Sequence, residues 1–166
     1  ETAETAVRAS LTGHLVLSTL HTNDAISSIN RLVDMGVEPF LVASSLSGLV
    51  AQRLVRRVCR DCGEVQEPSK REVEIFAKRG LNIDKIMRGK GCSSCNMSGY
   101  KGRIAIQEVV VINDDIRRMI MNGESVSRIK QTAIHNKTIF LIDDGLLKVK
   151  QGLTTTEEVL RVVVSE

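Results

Sequence analysis

The two Cys-x-x-Cys pairs are the feature that most restricts how this chain can fold. Cys59 and Cys62 form the first pair, Cys92 and Cys95 form the second, and the 166-residue sequence has no other cysteine. Each pair holds two sulfurs on one tight turn, and two such turns supply four thiolates, which suits tetrahedral Zn²⁺. The loop between the pairs exceeds the common spacing of about 15–20 residues, and an inserted helix explains its length. The pattern predicts a closed, structural zinc site.

Two other interpretations of these cysteines stay open. A redox Cys-x-x-Cys usually opens a helix behind a strand and needs only one pair. Buried thiols without any ligand are the second possibility. Because no export signal is recognisable and no cysteine is left over, we favour metal binding in a reducing cytoplasm over disulfides.

A second group of polar residues surrounds a short apolar run over residues 15–20, which predicts a buried strand. Ligands of open α/β sheets bind beyond the carboxyl ends of strands, so a phosphate or a water could lie here. Histidine can donate a hydrogen bond or move a proton near neutral pH. The residues expected near such a ligand are Ser18, Thr19, His21 and Thr22, and His14 lies at the other end of the run. The structural alternative places His14 in the core and uses residues 21–24 to cap the next helix.

The elements predicted over residues 1–55 belong to an α/β domain with most of its strands missing. Helices are expected over residues 1–10, from about 25 to 35, and from Pro39 to about 55. Since a single strand cannot form a sheet, we expect the other strands to lie upstream.

The remainder of the chain is predicted to contain one long strand and several helices. Ser69 and Glu72 form a capping box for a helix that ends near Lys78, and Thr155 and Glu158 form another. Residues 102–112 predict a strand. Four further helices are expected near residues 114–121, 125–135, 139–151 and 156–163.

Composition narrows the classes of function. Apolar residues make up 42% and charged residues 26%, near the values of globular proteins, so disorder is not expected. Aromatic residues make up 2%, too few to stack a strand of bases, and the net charge is only +3. No phosphate-binding Gly-x-x-x-x-Gly-Lys-[Ser/Thr] loop occurs.

The order of these motifs resembles type II secretion and type IV pilus-assembly ATPases in the part that follows the Walker B motif. The resemblance covers almost the whole chain. Its residues are Glu1-Thr2-Ala3, the run from Thr12 to Ala25, Arg31-Leu32, Met35-Gly36-Val37, Ala51-Gln52-Arg53-Leu54, the four cysteines, Tyr100-Lys101-Gly102-Arg103, Glu108, Asp144-Gly145 and Glu157-Glu158-Val159-Leu160. Retraction ATPases of the same superfamily share the histidine segment but typically lack the cysteines.

The resemblance implies a RecA-like domain that binds ATP and Mg²⁺ and assembles into a homo-hexamer. It implies that His14 and His21 form the histidine box near the γ-phosphate, with Ser18, Thr19 and Thr22 as polar support. Cys59, Cys62, Cys92 and Cys95 match the zinc ligands of the family. Glu1 falls just after the Walker B glutamate. Without Walker A and Walker B, we expect this chain alone to be inactive.

The resemblance also suggests an organisation and a location. We expect the C-terminal part of a RecA-like domain over residues 1–55, a zinc subdomain over 56–105 and a helical region over 106–166. The implied partners are inner-membrane platform and assembly proteins, which would hold the protein in the cytoplasm at the inner membrane. Arg56 and Arg57 could face such a partner, although a solvated surface explains them equally simply.

One segment departs from the family pattern, and one other function remains possible. Residues 135–139 stand where the family tends to show a Gly-Met turn. The alternative function is a zinc-stapled module that binds nucleic acid or a protein through basic residues near the first cysteine pair. Weak net charge and few aromatics argue against nucleic acid as a partner.

Overall fold

The structure is a computed structural model that describes residues 2–163. Glu1, which carries part of the resemblance, lies outside the described residues, as do residues 164–166 of the predicted helical region. The helices are α1 (Thr2–Leu11), α2 (Ser27–Asp34), α3 (Pro39–Ser45), α4 (Lys70–Lys78), α5 (Asp114–Met121), α6 (Val126–His135), α7 (Leu141–Lys150) and α8 (Thr156–Val163). The strands are β1 (Gly48–Val58), β2 (Gly63–Gln66), β3 (Ile86–Gly89) and β4 (Tyr100–Val111).

The chain forms two compact units, each made of two stretches of sequence. Unit 1 contains residues 1–51 and 108–139, and unit 2 contains residues 52–107 and 140–166. The long strands β1 and β4 pair with each other, and β2 pairs with β3 in a second, antiparallel sheet. The boundaries at residues 55 and 105 expected from the sequence stay a prediction.

Unit 1 is a helical cluster centred on α3, which contacts α1, α2 and α5. Its interior is built from aliphatic side chains at helical spacing, such as Ile116 and Ile120 on α5 and Ile129 on α6, all at most 3% exposed. Arg117 donates from its guanidinium to the backbone carbonyl of Ala43, which ties α5 to α3.

Unit 2 holds the four cysteines and packs α7 against α8 and β3. Gly145 allows the two helices to approach closely, because a Cβ there would lie 2.4 Å from Cγ1 of Val159. The fully buried Phe76 anchors α4, whose N-terminus is closed by the predicted capping box between Ser69 and Glu72.

Two predicted elements are wrong. Residues 14–20 form no strand, and Leu15 and Leu17 are 88% and 87% exposed, because no described strand pairs with them. The helix that starts at Pro39 ends at Ser45, and residues 48–58 form β1. The apolar residues of that stretch fit a helical period as well as a strand, and pairing with β4 decides for the strand.

The other predicted elements are confirmed. Helices α1, α2, α4 and the four helices after β4 begin and end within a few residues of the expected positions, and β4 overlaps the predicted strand over residues 102–111. In the departing segment, Lys137 adopts a left-handed φ of 61°, which glycine adopts at lower cost. Among residues 2–163, no helix combines the length and the apolar character that crossing a membrane requires.

Candidate metal centre and histidine segment

The first cysteine pair lies on the turn that joins β1 to β2. Cys59 follows the last residue of β1, is fully buried, and donates its backbone N–H to the carbonyl of Gly99 at 2.9 Å. Cys62 directly precedes β2, and its carbonyl accepts from the N–H of Lys90 at 3.1 Å. These backbone hydrogen bonds therefore hold both cysteines of this pair in position.

The second pair brackets a single 3₁₀ turn between β3 and β4: Cys92 directly precedes the turn Ser93–Cys95, and Cys95 ends it. The backbone N–H of Cys95 donates to the carbonyl of Cys92 at 3.2 Å, which closes the turn and points both thiols to one side. Antiparallel pairing of β2 with β3 matches Gly63 with Gly89 and so brings the two turns together.

The four sulfurs have the spacing of a tetrahedral metal site. The Sγ atoms of Cys59 and Cys92 are 3.9 Å apart, and those of Cys62 and Cys95 are 3.8 Å apart. The Sγ atoms of Cys92 and Cys95 are 3.7 Å apart, and all four lie within 4.8 Å of one another. Thiolates held about 2.3 Å from a zinc ion at tetrahedral angles lie about 3.8 Å apart. The cluster therefore fits one metal ion of that size.

Backbone N–H groups point at the sulfurs. Gly91 donates to Sγ of Cys62 at 3.3 Å, while Cys92 and Gly99 donate to Sγ of Cys95 at 3.2 and 3.3 Å. Burial works to raise the pKa of Cys95, but these donors outweigh it and lower that pKa to about 6. Burial raises the pKa of Cys62 to about 12. Four adjacent thiols cannot all ionise without a cation, so a metal ion would complete the site.

Close backbone contact encloses the cluster. A Cβ on Gly89 would lie 2.1 Å from the carbonyl oxygen of Gly99, and one on Gly99 would lie 2.5 Å from that of Gly89. Gly99 also has a φ of 76°. Only glycine at both positions lets the two turns approach this closely.

The donor set limits what this centre can do. All four donors are cysteine sulfurs, so a tetrahedral ion would have no open position for substrate or water. The described cysteines are free thiols, and neither pair opens an α-helix behind a strand as a redox motif usually does. The geometry supports a structural role.

The histidine segment lies in the other unit, and its residues 14–20 form neither helix nor strand. His14 is exposed beside the C-terminus of α1, where Nδ1 lies 3.2 Å from the carbonyl of Ala9 and 3.3 Å from Oγ1 of Thr12. The alternative that buried His14 in the core is therefore wrong. Ser18, Thr19 and His21 are also exposed. Their contact with a phosphate stays a prediction.

Side-chain contacts hold the turn that directly follows His21. Oγ1 of Thr22 lies 2.8 Å from Oγ of Ser28, and Oδ1 of Asp24 accepts from the N–H of Ser27 at 2.8 Å. The second oxygen of Asp24 lies 3.0 Å from Nζ of Lys130, which is on α6. Asp24 therefore accepts from the first residue of α2, although the N-cap position itself is Ile26 and has no side-chain cap. The N–H of Ser27 and this ion pair lower the pKa of Asp24 against the effect of burial.

Sequence reasoning missed the contact of Glu108 in the same turn. Oε1 of Glu108 accepts from the backbone N–H of Ala25 at 3.0 Å, and the residue is only 2% exposed. Glu108 lies between Ile106 and Val110 on the buried face of β4. A charged residue at an inward position of an alternating strand was the available signal.

A buried carboxylate also organises unit 2. Oε2 of Glu158 accepts from the backbone N–H of Arg56 at 3.0 Å, and both Arg56 and Arg161 pair with it. The predicted capping box is only half formed. Oγ1 of Thr155 accepts from the N–H of Glu158 at 3.3 Å, but the carboxylate faces the arginines instead.

Arg56 is therefore engaged inside its own unit. Its guanidinium lies over the ring of Tyr100, 4.2 Å from the centroid, and the hydroxyl of Tyr100 lies 2.9 Å from Oγ1 of Thr155. These contacts account for Arg56 without any partner protein.

Comparison with known proteins gives a consistent result. Residues 1–161 match the family described as "Type II/IV secretion system protein". The chain is 47% identical over 162 residues to the type II secretion system ATPase E of Vibrio cholerae, covering 98% of this chain and 32% of that protein. It is 47% identical over 165 residues to the type IV pilus assembly ATPase PilB of Thermus thermophilus, covering 96% and 18% respectively. The chain spans a third or less of these relatives.

Solved structures show the same fold. The pilus retraction motor PilT with bound ADP superposes with a TM-score of 0.62 at 24% identity, covering 97% of this chain and 36% of that one. The ATPase DotB of Legionella pneumophila gives a TM-score of 0.64 at 18% identity, covering 99% and 36%. At these identities the likeness concerns the fold alone, which belongs to the α/β class.

Proposed function

We propose that this chain, which belongs to the type II/IV secretion system protein family, forms the C-terminal part of an ATPase that powers type II secretion or type IV pilus assembly. The observation that carries the proposal is identity near 47% over almost the whole chain with ATPases of both systems. The cysteine cluster, built to metal-site distances, fits the same family.

We assign the nucleotide site to the exposed histidine segment. His21 contacts the γ-phosphate of ATP, His14 lies further along the same segment, and Ser18, Thr19 and Thr22 give polar support. In phosphoryl transfer, catalysis consists mainly of positioning and charge stabilisation, which an imidazole N–H can provide. In the intact protein, a phosphate-binding loop would hold the nucleotide, and Mg²⁺ would neutralise charge on its phosphates.

The exposed apolar residues of this segment support that assignment. Leu15 and Leu17 present large apolar side chains to solvent in the described part of the chain. Relatives are about three times longer or more, so the rest of a RecA-like domain is available to cover them. This placement directs the polar end of the segment, at His21, toward bound nucleotide.

The four cysteines hold a structural zinc ion. Cys59, Cys62, Cys92 and Cys95 supply four thiolates, and the N–H groups of Gly91, Cys92 and Gly99 orient two of the sulfurs. A bound zinc ion would neutralise the charge that the crowded thiolates cannot carry alone. Through it the four cysteines would join the turn after β1 to the turn before β4 and stabilise unit 2.

The intact protein works as a homo-hexamer in the cytoplasm, attached to the inner membrane through platform and assembly proteins. The resemblance to the family is the basis for proposing these partners. Arg56 is not required for such contact, because Glu158 and Tyr100 already engage it.

A comparison of two purified proteins tests the proposal. The full-length parent, loaded with zinc, is expected to hydrolyse ATP, and this 166-residue chain is expected to show no turnover above a no-protein blank. Robust turnover by a clean preparation of the short chain, or none by the full-length protein, would contradict the assignment.

A further inference from the structure

Among the described hydrogen bonds, four hold the turn that follows His21. Two contacts are local: the side chains of Thr22 and Ser28 lie 2.8 Å apart, and Asp24 accepts from the N–H of Ser27. Two contacts are distant in sequence: Lys130 on α6 reaches Asp24, and Glu108 on β4 reaches Ala25. The exposed stretch 14–20 carries no comparable set of long-range hydrogen bonds among those described.

Of these four contacts, the one made by Glu108 carries the largest desolvation cost, because its carboxylate is buried. The residue is 2% exposed and Ala25 is 1% exposed, so the hydrogen bond is shielded from water. Burying a carboxylate is unfavourable unless strong donors compensate for lost hydration. The side chain is therefore at this inward position of β4 for the contacts it makes there, and the backbone at Ala25 is one of them.

The N–H groups at the N-terminus of helix α2 donate to carboxylates of residues that are not part of the helix. Its N-cap position, Ile26, has no side chain that can accept a hydrogen bond. Asp24 and Glu108 instead accept from the N–H groups just before and at the start of the helix. Negative charge at this end also interacts favourably with the helix dipole. Both carboxylates thus fix where α2 begins.

We propose that Glu108 is a positioning residue whose buried carboxylate fixes the backbone at Ala25 and thereby the placement of His21, four residues earlier. This inference rests on the role proposed above for His21. Glu108 does not touch nucleotide. It acts through the turn 22–26, which directly follows the exposed residue His21.

Nuclear magnetic resonance on the 166-residue chain tests the positioning directly. In Glu108→Gln, the exchange rate of the Ala25 amide is expected to rise about tenfold, because a neutral acceptor replaces a charged one. The ring signals of His21 are expected to shift while those of His135 on α6 stay in place. Glu108→Ala should enlarge both effects. The control Glu124→Gln changes a surface glutamate of the same unit that pairs with Arg128, and it should change neither.

Unchanged Ala25 exchange and unchanged His21 signals in Glu108→Gln overturn the inference. Glu108→Gln keeps the side-chain shape, so it gives an answer even where Glu108→Ala fails to fold.

Kinetics of the full-length parent separate this inference from the proposed function. Glu108→Gln should lower kcat with KM for ATP within about twofold of wild type, as expected when a transition-state contact is misplaced. If His21→Ala lowers kcat and Glu108→Gln does not, the positioning inference is wrong. If His21→Ala itself has no effect while Ala25 exchange responds to Glu108, the proposed function of His21 is wrong and the positioning contact stands.

Discussion

Oε1 of Glu158 lies 2.6 Å from Nη2 of Arg56, a residue 102 positions earlier in the sequence, and Oε2 of the same carboxylate accepts from the backbone N–H of Arg56. Glu158 is fully buried, whereas the side chain of Arg56 is 47% exposed. One carboxylate on α8 thus accepts from a backbone N–H near the end of β1 and links the strand to the helix. Glu158 therefore connects α8 to β1, the strand that directly precedes Cys59.

Replacing this carboxylate should destabilise unit 2. Glu158→Gln removes the charge that Arg56 and Arg161 share, and we expect the free energy of unfolding to fall by about 1–3 kcal/mol. Urea denaturation followed by circular dichroism measures it. The matched control is Glu157→Gln, an exposed neighbour on the same helix, which should change stability by less than about 0.5 kcal/mol. Equal stability of the two variants would contradict the account.

The same pair gives a pH dependence of defined sign. Burial works to raise the pKa of Glu158, but donors from Arg56 and Arg161 outweigh it and lower that pKa to about 2. Because the folded pKa lies below the unfolded one, the stabilisation is complete above about pH 4.5 and is lost as pH falls toward about 2. The stability difference between wild type and Glu158→Gln should shrink over that range. A difference that grows on acidification would refute this sign.

Removing one thiol should release the metal. Wild-type protein is expected to contain about one zinc per chain by elemental analysis, and Cys59→Ser to contain almost none. Hydrogen exchange over residues 56–105 should accelerate in the variant, while α1, α2 and α3 keep their protection. Ser44→Ala, a surface change in unit 1, serves as the control. Loss of protection throughout the chain would show that the zinc centre supports more than its own unit.

A single methyl group should disturb the metal centre from outside the ligand set. In Gly89→Ala the new Cβ would meet the backbone of Gly99 at 2.1 Å, so the two turns must separate. We expect a stability loss of about 1–3 kcal/mol and weaker zinc binding in competition with a chromogenic chelator. Gly48→Ala is the matched control, because its Cβ would make an ordinary 3.5 Å contact with Val110. Wild-type zinc affinity in Gly89→Ala would count against the enclosed geometry.

The cysteine cluster and most helices could be predicted because their signals are local. The spacing within each cysteine pair, the capping box of Ser69 and Glu72, and apolar periodicity are all recognised within a few neighbouring residues. The sequence also identified the family, which the comparisons confirm.

The misjudged stretches depend on partners far away in sequence. Residues 48–58 fit a helix by their own spacing and become β1 through pairing with β4. The run 15–20 has strand character but no described strand beside it. Likewise, no local sequence pattern predicts that Glu108 accepts from the N–H of Ala25. None predicts that the carboxylate of Glu158 contacts Arg56 instead of completing its capping box.

The most direct test of the central claim is the steady-state ATPase rate of the full-length, zinc-loaded parent carrying His21→Ala. Loss of a donor positioned at the γ-phosphate should lower kcat by about 100-fold, with nucleotide affinity little changed. His135→Ala, which alters an exposed histidine at the end of α6, should keep the wild-type rate. Wild-type turnover in His21→Ala would contradict the claim that this segment serves the phosphate.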